Sequence, residues 1–124
     1  MDKNIQLGLF HLQSDGSWAD EAGTVSLAKD GTLTSNAIDM GQTSGIVRVQ
    51  AKHTGTGAPT ITIEVSESVD GETYVTNATP LVSNLAKDTT ALYDFDAKAS
   101  QKIKIIVTED DVAATAVTLS ISTR

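Results

Sequence analysis

Two runs of strict alternation constrain this chain more than any other feature. In Gly45–Lys52, Val47, Val49 and Ala51 take one phase, and Arg48, Gln50 and Lys52 the other. In Thr60–Ser66, Ile61, Ile63 and Val65 alternate with Thr62 and Glu64. A period of two places apolar side chains on one face of a strand and polar ones on the opposite face. The segment between them, His53 to Pro59, carries Gly55, Gly57 and Pro59, which is loop chemistry. The expectation is an antiparallel hairpin from a sheet that packs on one side. In that hairpin Glu64 faces Arg48 and Lys52 as a surface ion pair.

The same pattern runs along the chain. Strands are expected over 5–12, 24–28, 32–39, 45–52, 60–67, 73–76, 80–84, 91–95, 102–108 and 115–122. Ile103, Ile105 and Val107 alternate with Lys102, Lys104 and Ile106, and Val117, Leu119 and Ile121 with Thr118, Ser120 and Ser122. With the polar turn 109–114 between them, these read as a second hairpin. Asp15-Gly16, Asp30-Gly31 and Asp70-Gly71 supply residues that tolerate positive φ at tight turns. Each is followed by a large apolar residue, Trp18, Leu33 or Tyr74, that drops back onto the core. Short strands punctuated every ~8–12 residues point to an all-β antiparallel sandwich, jelly-roll-like, with one domain over 1–124. Alternation does not order strands, so a jelly roll and an immunoglobulin-like sandwich both satisfy it. With two Phe, two Tyr and one Trp, the core must be mostly Val, Ile, Leu and Ala.

Charge and chemistry then narrow the function. Nine basic against sixteen acidic residues give a net charge of −7, which repels phosphate backbones and anionic lipid. Neither nucleic acid nor a membrane is an expected partner. No apolar stretch approaches the ~18 residues of a membrane span. Met1–Phe10 lacks the apolar region of a signal peptide, so synthesis in the cytoplasm is expected. With no Cys, disulfides and thiolate metal sites are excluded. His11 and His53 have no neighbouring ligand set for zinc. Glu109-Asp110-Asp111 and Asp94/Asp96 lack EF-hand spacing, and a solvated acidic turn is the favoured reading over a structural calcium. No Gly-x-Ser-x-Gly elbow appears, and Glu64, Glu67 and Glu72 read as surface carboxylates rather than a glycosidase pair. Asn77-Ala78-Thr79 is formally a glycosylation acceptor and is read as chance. No enzymatic activity and no cofactor are expected. Trp18 could stack a sugar, but core or subunit-interface packing is the favoured reading.

Two segments carry a resemblance. Thr34-Ser35-Asn36-Ala37-Ile38-Asp39-Met40-Gly41 is similar to the "S-x-x-ϕ-D-ϕ-G" strand (ϕ apolar) of small cement, or head-decoration, proteins of tailed bacteriophages. The strand 45–52, the Gly-rich loop, and Ile61 to Gly71 followed by Tyr74 resemble that family's next elements. The likeness covers about residues 30–76, and its motifs are turn grammar.

The resemblance implies a jelly-roll or related sandwich without enzymatic activity on the capsid exterior. Such a protein bridges major capsid protein subunits and self-associates as a dimer or trimer. Two elements are candidate contacts: the apolar N-terminal run within 1–12, with Ile5, Leu7, Leu9 and Phe10, and the loops around Trp18 and His53. The N-terminal run also reads as an ordinary first strand. A phage tail or fibre component, or a carbohydrate-binding or adhesion module, are the alternatives.

Overall fold

The computed structural model describes residues 8–41, 43–97 and 100–124. Its strands are β1 (Gly8–Leu12), β2 (Trp18–Ala19), β3 (Val25–Leu27), β4 (Thr32–Thr34), β5 (Ile38–Asp39) and β6 (Ile46–Thr54). They continue as β7 (Thr60–Ser68), β8 (Val75–Thr76), β9 (Val82–Ala86), β10 (Ala91–Asp96), β11 (Lys102–Glu109) and β12 (Thr115–Thr123). Two antiparallel sheets form a sandwich. The first runs β10-β6-β12-β1-β2, with β3 beside β1 on β12. The second runs β4-β11-β7-β8, with β5 also on β11 and β9 also on β7.

The pairs β3·β12, β4/β5·β11, β6·β10 and β7·β8/β9 are nested, each enclosing the next in sequence. A long antiparallel hairpin rolled onto itself gives that arrangement, with sheet orders β3-β12-β6-β10 and β4/β5-β11-β7-β8/β9. This is jelly-roll order and not immunoglobulin-like. The hairpin β1-β2 is an addition that docks on the free part of β12.

Neither long alternating pair forms a hairpin, which corrects the expectation. β6 and β7 lie in opposite sheets, as do β11 and β12. Both sheets of a sandwich need an inward apolar face, so alternation reads the same whether the next strand pairs alongside or crosses over. The connectors 55–59 and 110–114 span the gap of ~10 Å between sheets. Consequently Glu64 does not meet Arg48. Glu64 pairs across from Ile106, whereas Arg48 lies opposite Asp94 and makes a bidentate contact of 2.6 and 2.9 Å. Asp15-Gly16 and Asp70-Gly71 do turn within a sheet, but Asp30-Gly31 carries the chain from one sheet to the other.

Inward phases build the core: Val47, Val49, Ala51, Val117, Leu119 and Ile121 face Ile61, Ile63, Val65, Ile103, Ile105 and Val107. The expected strand 32–39 breaks at Ser35. Its backbone N–H still donates to Ile105 O, and its hydroxyl accepts the Ile105 N–H at 2.9 Å. That bulge exposes Asn36 O, which accepts the Trp18 indole N–H at 3.1 Å. Trp18 is thereby locked into the core at 4% exposure. The "S-x-x-ϕ-D-ϕ-G" motif thus has a structural account. Ser35 substitutes in the ladder, Ile38 and Met40 are buried, and Asp39 accepts the Gly41 N–H at 2.9 Å.

Carboxylates hold several corners. Asp70 accepts the N–H groups of Thr73 and Glu72 and the Ser68 hydroxyl, which lowers its pKa to about 2. The Ser17 hydroxyl and N–H lower Asp15 in the same way. Burial works to raise Glu109, but N–H groups of Asp30, Val112, Ala113 and Asp111 outweigh it and the net shift is downward. A depressed folded pKa contributes stability that is fully present above the unfolded value near ~4 and is lost as pH falls through the folded value. Urea denaturation is therefore expected to give a flat midpoint from pH 7 to about 5 and a falling one from about 4 toward 2. Asp70→Asn should flatten part of that fall. An unchanged midpoint at the acid end would refute the assignment.

Candidate functional site

Because side chains alternate along a strand, each sheet offers one outer face. On the first sheet the outer positions form cross-strand rows. One row is Leu92, Gln50, Ser120 and His11; the next is Asp94, Arg48, Ser122 and Leu9. The small hydroxyl residues of β12 make a shallow trough floored by Ser120 and Ser122, with Arg48, Gln50 and Leu92 on one bank and Leu9 and His11 on the other. His11 Nδ1 is 2.7 Å from Ser120 Oγ. Leu9, Ile46 and Leu92 are 58%, 54% and 54% exposed. Exposed leucine and isoleucine beside an ion pair and a serine floor combine apolar area with polar groups that could fix a register.

The six sequence candidates separate sharply. Ile5 and Leu7 lie outside the described residues. Leu9 is on the outer trough. Phe10, one position on, points the other way and packs half-buried against the core. His53 is a correction as a contact residue, because it is buried; Trp18 is buried too, which fits its favoured reading as core packing and corrects its place among the contacts. His53 is in phase with Val47, Val49 and Ala51. Its ring lies between the sheets, Nδ1 at 2.8 Å from Thr115 Oγ1 and Nε2 at 2.7 Å from Leu85 O. His53 is out of reach of any partner in the folded protein, and Trp18 shows only an edge, at the lining of a groove on the second sheet. Ile46, Leu92, Arg48 and Gln50 were missed. The available signal was an apolar residue out of phase: Ile46 precedes the inward Val47, and Leu92 interrupts the inward series Ala91, Tyr93, Phe95.

The outer face of the second sheet carries a different feature. A groove of about 690 Å³ runs over β11 beside the Ser35 bulge and is lined by Thr34, Asn36, Asp39, Tyr74, Lys102 and Lys104, among others. Lys104 Nζ sits 4.3 Å from the centroid of the Tyr74 ring. Lys102 lies opposite Asp39 on one side and Ser68 on the other. The carboxylates of the acidic turn 109–111 are engaged by the protein's own groups. Glu109 faces its own loop N–H groups, Asp110 accepts from Thr60 and Thr62 hydroxyls, and Asp111 lies 3.9 Å from Lys29. Among the described residues no group of three or more His, Asp or Glu side chains could hold a metal ion.

No protein-family model matches the chain, and no curated protein matches it in sequence. Among solved structures the fold is similar to part of tripeptidyl peptidase 2, with a TM-score of 0.64 at 7% identity over 100% of this chain and 10% of that one. It is also similar to PirA, with a TM-score of 0.59 at 14% identity over 86% of this chain and 95% of that one. A chain of infectious bursal disease virus, Gt strain, gives a TM-score of 0.54 at 11% identity over 98% of this chain and 34% of that one. This chain therefore spans a tenth of the first and about a third of the last. At such identities the likeness is one of fold: an antiparallel β-sandwich used by viral and non-viral proteins alike.

Proposed function

We propose that this chain is a non-enzymatic virion structural protein that decorates the outer surface of a bacteriophage head. It bridges major capsid protein subunits, and self-associates as a dimer or trimer, through the outer face of the β10-β6-β12-β1 sheet. The observation that carries the reading is that exposed Leu9 and Leu92 bank the serine-floored trough, with exposed Ile46 beside it next to Arg48 and Ser122. The resemblance of residues 30–76 to head-decoration proteins supports it, and the infectious bursal disease virus likeness shows that a viral chain contains this fold. The net charge of −7 suits the outside of a head better than contact with packaged DNA.

A decoration protein works by mass action. Binding the assembled lattice and not its separated subunits shifts the balance toward the lattice. The test is co-sedimentation with heads that lack the protein, together with the temperature at which those heads release DNA. Saturable binding and a raised release temperature are expected. Leu9→Asp combined with Leu92→Asp is expected to weaken binding at least about tenfold, or ~1.4 kcal/mol, while leaving the fold intact, because both side chains are exposed. Absence of binding by the unaltered chain would remove the reading.

A further inference from the structure

We propose that the groove on the β4/β5-β11-β7-β8 sheet is a binding site for a carboxylate-bearing saccharide, a uronate-type sugar. In a protein of net charge −7, two ammonium groups project from adjacent outward positions of one strand, Lys102 and Lys104. Neither is in an ion pair with a described residue, whereas Arg48 on the opposite sheet is fully paired. Lys104 is held over the Tyr74 ring at 4.3 Å, which fixes the cation at the groove wall without neutralising it. A cation whose position is already fixed loses less freedom when it meets an anion.

The remaining lining selects among anions. Asp39 shares the groove with the lysines and spends one oxygen on the Gly41 N–H. With two ammonium groups against the Asp39 carboxylate, the lining favours an anionic sugar over a neutral one. Thr34 and Asp39 offer hydroxyl and carboxylate groups that match sugar hydroxyls. A volume of about 690 Å³ accommodates a short oligosaccharide. Dense polyanions are disfavoured by the acidic remainder of the surface. The groove opens on the sheet opposite the capsid-facing one, so a sugar here and a capsid there are independent events.

The test is amide chemical-shift titration of the intact chain with trigalacturonate, with maltotriose as neutral probe and triglutamate as acidic peptide probe. Saturable shifts at Tyr74, Lys102 and Lys104 are expected with trigalacturonate, weakening as salt is raised. Lys102→Gln with Lys104→Gln should weaken binding at least tenfold at an unchanged thermal midpoint, and Arg48→Gln should leave it alone. Lack of saturable binding, equal binding of maltotriose, or tighter binding of triglutamate would each overturn the assignment. So would an unaffected double variant.

Discussion

Trp18→Ala is expected to lower the unfolding free energy by about 3–5 kcal/mol, the cost of deleting a large buried aromatic and leaving a cavity. At roughly 3–5 °C per kcal/mol for a domain of this size, the thermal midpoint drops by ~10–20 °C. Trp18 is 4% exposed, and its indole N–H donates to Asn36 O at 3.1 Å. It therefore pins the β1-β2 hairpin to the Ser35 bulge of the other sheet. Gly16 supports the same junction: its O accepts the Asn36 N–H, and at φ +89 a side chain there would sit 3.1 Å from Thr34 O. Trp18→Phe removes the hydrogen bond but only part of the ring volume. Asn36 O keeps the Ser35 hydroxyl as a partner, so the phenylalanine variant should lose only about 1–2 kcal/mol. Calorimetry of both variants decides the matter. A midpoint for Trp18→Ala within a few degrees of the parent would mean that Trp18 is not part of the packed core.

The phase of nearly every strand was legible, and the pairing was not. Val47, Val49 and Ala51 face inward as their alternation states, and so do Ile61, Ile63 and Val65. A one-residue slip would expose all of them, so phase is strongly specified. Which strand lies alongside is a property of the whole roll. The partner of Arg48 is Asp94, on a strand far along the chain, and nothing local at Arg48 names it. The groove on the second sheet shows the same limit. Tyr74 and Lys104 meet only because β8 and β11 flank the same strand, β7, with Lys104 and Thr76 both opposite Ser66. Turn chemistry was half legible. Asp70-Gly71 and Asp30-Gly31 share a dipeptide, yet one turns within a sheet and the other crosses between sheets. Ser35 was invisible as a ladder substitute, because a serine hydroxyl replacing a backbone acceptor needs the opposing Ile105 N–H to be seen.

His53→Ala is expected to cost about 2–5 kcal/mol, because it combines a cavity with broken buried hydrogen bonds. The Leu85 carbonyl can only accept, so the imidazole proton sits on Nε2 and donates there at 2.7 Å. Nδ1 lies 2.8 Å from the Thr115 hydroxyl oxygen. That hydroxyl donates to Thr54 O at 3.0 Å. Removing the ring therefore strands the Leu85 carbonyl but not the Thr115 hydroxyl, which keeps Thr54 O. His53→Leu separates the two effects. It fills most of the volume and still leaves Leu85 O unpaired, so a loss of about 1–3 kcal/mol is expected. His53→Gln can return an N–H donor to that carbonyl and should lie between Leu and the parent. Urea denaturation of the three variants gives the order. Were His53→Leu as stable as the parent, the bond to β9 would be dispensable, and apolar packing alone would hold this end of β6 against the opposite sheet.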